Sequence, residues 1–168
     1  ILSGGDPLAL PTARLARITA ALAGLDTLQR LRIHTRTPVV LPSRVDPLLL
    51  DWLGGLPWPV VMVVHVNHPR ELDDAVRAAL RRLADAGATL LNQSVLLRGV
   101  NDDVETLATL SGELFAAGVL PYYLHLLDHA CGTAHFDTGT DEARALHDAL
   151  AARLPGYLVP RLVREVEG

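Results

Sequence analysis

Val60-Val61-Met62-Val63-Val64-His65-Val66 is a nearly unbroken apolar run rich in β-branched residues. A run this short and this rich in valine reads as a strand buried on both faces, the kind found in parallel sheets. Working outward, Glu71 to Ala86 has the spacing of a helix, with Gly87 behind it as a stop, and Thr89 to Leu97 is a second strand. Strand, helix, strand is a βαβ unit, and its crossover is right-handed. The pattern extends both ways. Before it come an opening strand at Ile1, a helix from Pro11–Thr12 to Ala23, a strand from Leu28 to His34, and a helix N-capped by Asp46 with Pro47 at its first position. After it come a helix ending at Ala117, a strand from Pro121 to Leu127, a helix from Asp141 to Leu154 and a last strand from Tyr157 to Arg164. Asn101 or Asp102 is the expected cap of the helix that ends at Ala117. Strand and helix alternate about every thirty residues, the rhythm of an α/β protein with a parallel sheet and helices outside it. About six strands make a partial parallel (βα) barrel, TIM-like; an open doubly wound sheet is the alternative. No G-x-G-x-x-G follows the first strand, which counts against a dinucleotide fold.

The 168 residues are enough for one domain with a core. Hydrophobic residues make up 49% and the mean hydropathy is +0.25, which argues against disorder. No apolar run reaches the roughly eighteen residues of a membrane span. A net charge of −4 with acids and bases interspersed argues against a nucleic-acid surface. The single Cys131 rules out a disulfide framework or cysteine-built cluster within these residues, and a cytoplasmic setting fits. The chain lacks an initiator methionine, opens inside a strand and ends without a helix stop. It reads as one domain, residues 1–168, cut from a longer protein at both ends.

Polar residues interrupt the strands near their C-terminal ends, where α/β folds carry their sites. Leu2-Ser3-Gly4-Gly5-Asp6-Pro7 puts two glycines and a carboxylate after the opening strand; a plain turn capped by Asp6 would use the same residues. Alternation sets His65 and Asn67 on one face, either as core groups or as ligand contacts. A zinc site is not expected, since His65 and His68 differ in parity and no third ligand is evident. Asn92, Gln93 and Ser94 sit in an otherwise buried strand. They must bond neighbouring strands or face a ligand, because burying them unpaired costs a few kcal/mol each. His125 and Asp128 end another strand, with His125 equally readable as core and Asp128 as a solvated acid. Arg164 and Glu165 end the last strand, where a surface ion pair would be ordinary.

Taken together, several segments resemble the lysine 2,3-aminomutase family of radical S-adenosylmethionine (SAM) enzymes. They are Leu2-Ser3-Gly4-Gly5-Asp6, Arg36-Thr37-Pro38-Val39-Val40-Leu41-Pro42, Asn67-His68-Pro69, Leu83-Ala84-Asp85-Ala86-Gly87, the long block Asn92 to Asp102, Pro121-Tyr122-Tyr123 and Gly156-Tyr157-Leu158-Val159-Pro160. Arg32-Ile33-His34, Tyr123-Leu124-His125 and Ala134-His135-Phe136 look closer still to the branch that makes (R)-β-lysine for elongation factor P. The branch acting on free lysine often has a zinc-ligand cysteine where this chain has Asp103.

The resemblance implies a barrel of the radical SAM type that holds SAM on a [4Fe–4S] cluster with pyridoxal phosphate (PLP) beside it. Hydrogen leaves the β-carbon of L-lysine and the amino group migrates from C2 to C3, an isomerase reaction. It further implies that Gly4, Gly5 and Asp6 bind the SAM amine, that His65 and Gln93 contact its nucleoside, and that Asp128 and Glu165 bind the distal ammonium of lysine. His125 becomes a PLP neighbour. The family's C-x3-C-x2-C cluster loop is expected upstream of Ile1 and its PLP lysine beyond Gly168, so no catalytic or metal-ligating residue is expected within the chain, which contains no lysine, and these residues alone are expected to be inactive. Two alternatives stay open: the same chemistry in free lysine metabolism, and a non-catalytic barrel that binds a partner.

Overall fold

The computed structural model describes residues 1–128 and 132–164. Five parallel strands run β1 (Leu31–Thr35), β2 (Val60–His65), β3 (Ala88–Val95), β4 (Val119–His125) and β5 (Arg161–Val163), and their order in the sheet is their order in the chain. The helices are α1 (Thr12–Leu22), α2 (Thr37–Val40), α3 (Pro47–Gly54), α4 (Asp74–Asp85), α5 (Val104–Ala116) and α6 (Thr140–Arg153). Sequential order with right-handed crossovers puts every helix on the same side of the sheet. A doubly wound sheet would reverse its order somewhere and be covered on both sides. The sheet is therefore an open, partial barrel wall with one face under helices and the other bare. No helix among the described residues is long and apolar enough to cross a membrane.

Alternation divides the strands between the two faces. Leu31, Ile33, Val60, Met62, Val64, Ala88 and Leu90 pack under the helices, against Leu15 of α1, Leu49 and Leu53 of α3, and Val76, Leu80 and Leu83 of α4. A second cluster continues the core under α5 and α6, with Leu107, Ala143 and Leu150 against Leu124. The intervening positions, Arg32, His34, His65, Gln93, Val95 and His125, are half-buried on the bare face.

Three sequence expectations are corrected. The opening segment is no full strand: Leu2 alone bridges to Ile33, donating to Arg32 O at 2.8 Å and accepting from His34 N at 3.0 Å. The strand expected from Tyr157 starts only at Arg161, because Gly156–Leu158 closes a 3₁₀ turn first. Neither Asn101 nor Asp102 caps α5. Asp103 does, accepting from Thr106 N at 2.8 Å. Asn101 lies outside the helix and is fully buried between strand ends. Asp102 accepts from Gly99 N at 2.9 Å and so closes the preceding turn.

Candidate functional site

The site is built on the C-terminal rim of the bare face. Gly4 and Gly5 have φ of 84° and 70°, the left-handed region that L side chains rarely adopt. A Cβ on either would meet nothing within 4 Å, so conformation demands glycine here and the space beside the backbone is open. The loop ends at Asp6, which anchors it to β1. One carboxylate oxygen accepts from Thr35 Oγ1 at 2.6 Å and Leu8 N at 3.0 Å, the other from Arg36 N at 2.7 Å and Thr37 N at 2.9 Å. Burial alone would raise the Asp6 pKa; the donors at Thr35, Arg36, Thr37 and Leu8 outweigh it and hold the group below its ordinary value. A cavity of about 330 Å³ lies beside the loop, lined by Ser3 to Pro7 together with Leu10, Leu15 and Ile18.

The rim continues through a hydrogen-bond lattice. Arg36 pairs with Glu71 Oε2 at 2.9 Å, and Glu71 Oε1 accepts from Asn67 N and His68 N at 2.7 and 3.0 Å. Asn67 Oδ1 accepts from Val95 N at 2.9 Å. Asn101 donates to Asn67 O and Val95 O at 2.8 and 2.9 Å and accepts from Leu97 N at 2.8 Å. Below it, Asn92 brackets Val66, accepting from its N–H at 2.8 Å and donating to its carbonyl at 3.1 Å, while Ser94 donates to the same carbonyl at 2.7 Å. Asn92 and Ser94 face the helices and bond the neighbouring strand. Gln93 alone of the three faces the bare side.

That side holds the polar groups without partners. Among the described residues, Nε2 of His34, His65 and His125 is buried and makes no hydrogen bond, and neither does Nε of Arg32; the one other such atom, Arg44 Nη1, lies elsewhere, 3.5 Å from Asp46 Oδ2. His65 is register-paired with Gln93, and the His34 and His65 rings meet edge-on at 6.2 Å between centroids. Burial pushes both imidazoles below the ordinary 6.5. For His34 the Arg32 charge adds to this; for His65 the Asp6 carboxylate opposes it. Both rings are held neutral, each with one ring nitrogen free to bond a ligand.

The structure thus brings Gly4, Gly5, Asp6, His65, Gln93 and His125 to one rim and one face. Asp128 is exposed, three residues beyond the end of β4. Glu165 lies outside the described residues. Sequence reasoning missed Arg32, Arg161 and the Tyr122–Tyr123 pair as candidates on this face. Alternation from His34 would have found Arg32. The tyrosines are turned by a bulge: Asn92 pairs with Pro121 and Gln93 with Tyr123, leaving Tyr122 as the extra residue.

No model of a known protein family matches the chain. Over all 168 residues the chain is 46% identical to the L-lysine 2,3-aminomutase of Escherichia coli (strain K12), covering 49% of that protein. It is 48% identical to that of Haemophilus influenzae, covering 50%, and 40% identical to that of Clostridium subterminale, covering 40%. The chain spans about half the length of the curated relatives it matches. Among solved structures, a domain of pyruvate-formate lyase-activating enzyme from Bacteroides vulgatus superposes with a TM-score of 0.63 at 14% identity, over 98% of this chain and 97% of that one. A radical SAM methyltransferase from Sphaerobacter thermophilus gives a TM-score of 0.57 at 18% identity, over 79% and 40%. At these identities the likeness is one of fold, a partial parallel βα barrel. Matched along its whole length at 40% to 48% identity, the chain is similar to L-lysine 2,3-aminomutases over the part of them that it spans.

Proposed function

We propose that these residues are the barrel wall of a radical SAM, PLP-dependent lysine 2,3-aminomutase, an isomerase that converts L-lysine to (R)-β-lysine for modification of elongation factor P in the cytoplasm. The observation that carries the reading is the set of buried, unpartnered ring nitrogens on His34, His65 and His125, on the face next to the Gly4-Gly5-Asp6 loop. Such groups cost free energy unless a ligand completes them. SAM bound to a [4Fe–4S] cluster supplies a hydrogen-abstracting radical, and PLP carries the migrating amino group. The open backbone at Gly4 and Gly5 suits the SAM ammonium, with Asp6 fixing the loop and adding negative charge. His65 and Gln93, neighbours across β2 and β3, suit a nucleoside edge. His125 suits a polar group of PLP. Asp128, and Glu165 beyond it, would take the distal ammonium of lysine. With one cysteine and no lysine in the chain, the cluster ligands and the PLP lysine belong to other parts of the protein.

The lack of a cysteine at Asp103 supports the elongation factor P branch over free lysine metabolism in this reading. The test uses the full-length protein with its cluster and PLP reconstituted. (R)-β-Lysine should form from L-lysine and be accepted by the elongation factor modification system. A protein that binds SAM yet never turns over lysine would overturn the reading in favour of a binding module. Asp128→Asn should lower kcat/KM for lysine about ten- to a hundredfold, the weight of one charge-assisted hydrogen bond, and leave SAM affinity intact. Near-normal kcat/KM would make Asp128 a solvated loop acid.

A further inference from the structure

Two glycines with left-handed φ and open space beside them cannot hold their own position by packing. What flanks them must do it. Upstream, Leu2 is bonded to β1 through Arg32 O and His34 N. Downstream, Asp6 leads into a 3₁₀ turn over Pro7–Ala9, too short to sustain itself. Arg44 closes that turn from behind. It ends a second 3₁₀ turn, Pro42–Arg44, and its side chain is largely buried. Its Nε donates to Leu8 O at 2.9 Å, and its Nη2 donates to Leu10 O at 2.9 Å and Thr12 Oγ1 at 3.1 Å. Leu8 is the shared member: its N–H donates to Asp6 Oδ1 at 3.0 Å while its carbonyl accepts from Arg44. One stretch of chain therefore grips the turn at both ends, with Arg36 N and Thr37 N on Asp6 and the Arg44 guanidinium on the carbonyls. Asp46 Oδ2 stands 3.5 Å from Arg44 Nη1, and Asp46 Oδ1 caps α3 through Leu49 N at 2.8 Å, so the guanidinium is steadied by a residue that is itself fixed. Leu10, whose carbonyl Arg44 holds, lines the cavity of about 330 Å³ together with Gly4 and Gly5.

We propose that Arg44 is a positioning residue for the Gly4-Gly5-Asp6 loop: by clamping the turn behind the loop, it holds the glycine backbone in the geometry that receives the amine of SAM. The proposal rests on reading that loop as part of the SAM site. Arg44 acts through the loop, since its hydrogen bonds go to two protein carbonyls and a hydroxyl. A planar fork can meet all three at once, whereas the single ammonium of a lysine cannot keep the same geometry. The effect of losing it therefore falls on SAM, and the distal ammonium of lysine is bound elsewhere.

The test uses the full-length protein with its cluster and PLP reconstituted, and reads SAM Kd by calorimetry, KM for SAM and for lysine in turnover, and the urea midpoint. Arg44→Met should raise SAM Kd and KM for SAM about tenfold or more while KM for lysine stays within about twofold. Arg44→Lys, which keeps the charge and one donor contact, should recover SAM affinity to within about threefold of the wild type. Thr12→Val removes only the hydroxyl acceptor and covers the case in which Arg44→Met fails to fold; it should raise SAM Kd about two- to threefold. Arg81→Met, exposed on α4, should change none of these. A merely structural role predicts lower urea midpoints with SAM Kd unchanged in the folded protein, and that result overturns the proposal. Equal rises in KM for SAM and for lysine also overturn it, since they mark general loosening. Tight SAM binding in the wild type that is indifferent to Arg44 and Thr12 overturns the role of Arg44 alone. A wild-type protein that binds no SAM overturns the reading of the loop and this role with it.

Discussion

Asp6→Asn isolates the charge of the loop anchor while keeping its shape. The asparagine oxygen can still accept from Thr35 Oγ1 and Leu8 N, which now meet one carboxylate oxygen at 2.6 and 3.0 Å. The amide nitrogen then faces Arg36 N and Thr37 N, at 2.7 and 2.9 Å, donor against donor. Thr37 N retains a second acceptor in Thr35 Oγ1 at 3.1 Å, and Arg36 N can reach solvent. The loss is therefore one to two charge-assisted hydrogen bonds, at about 1.5–3 kcal/mol each before solvent compensation, so about 2–4 kcal/mol in total. Urea unfolding of the full-length protein measures it as a fall in midpoint at constant m. SAM affinity, by calorimetry, should fall as well, because the Gly4-Gly5 backbone would no longer be tied to β1. A change in stability below about 0.5 kcal/mol would refute the anchoring argument. Lost stability with unchanged SAM affinity would refute the link between anchor and site.

Asn101→Ala leaves Leu97 N, Asn67 O and Val95 O without their buried partner and should cost about 2–4 kcal/mol in the same assay; a cost under about 1 kcal/mol would mean that water replaces the amide. Asp103→Ala removes the α5 cap and should cost about 0.5–2 kcal/mol, with Asp103→Ser restoring most of it; a Ser variant no better than Ala would sink the cap. His34 and His65 have folded pKa values below the ordinary 6.5, so below that pH the unfolded chain binds protons that the fold refuses. Stability should fall as pH drops below 6.5 and gain nothing from these groups above it. Replacing both rings with glutamine should flatten that slope in urea midpoints; an unchanged slope would place its origin elsewhere.

Much of the fold was legible because the strands obey period two and the helices carry their own stops. Val60 to Val66, the Gly87 stop and the helix end at Ala117 each placed an element within a residue or two of its observed end. The misses share one cause. Asn101 and Asp103 stand two residues apart, both suit a cap, and only the third dimension decides that Asn101 is spent on strand ends. Leu2 reads as a strand from its neighbours, yet only one of its residues finds a partner. On the site side, Gln93 was separable from Asn92 and Ser94 by parity once a face was known to be bare. The Tyr122–Tyr123 arrangement was not legible, because a bulge breaks the period on which the reading depends.

Hydrogen-bond accounting then separates two populations of polar residue that look alike in sequence. Asn67, Asn92 and Ser94 interrupt apolar stretches and Asn101 follows one, and each is spent on backbone groups of β2 or β3 and the turns that follow them. His34, His65, His125 and Arg32 interrupt similar stretches, and each keeps a buried nitrogen without a partner among the described residues. An unmade bond to a buried group costs about 1–3 kcal/mol, so four of them in one sheet weigh several kcal/mol against a typical net stability of about 5–15 kcal/mol. Ligands that bind there would recover that cost, so the face that is weakest as a piece of folded protein is the strongest candidate for the site.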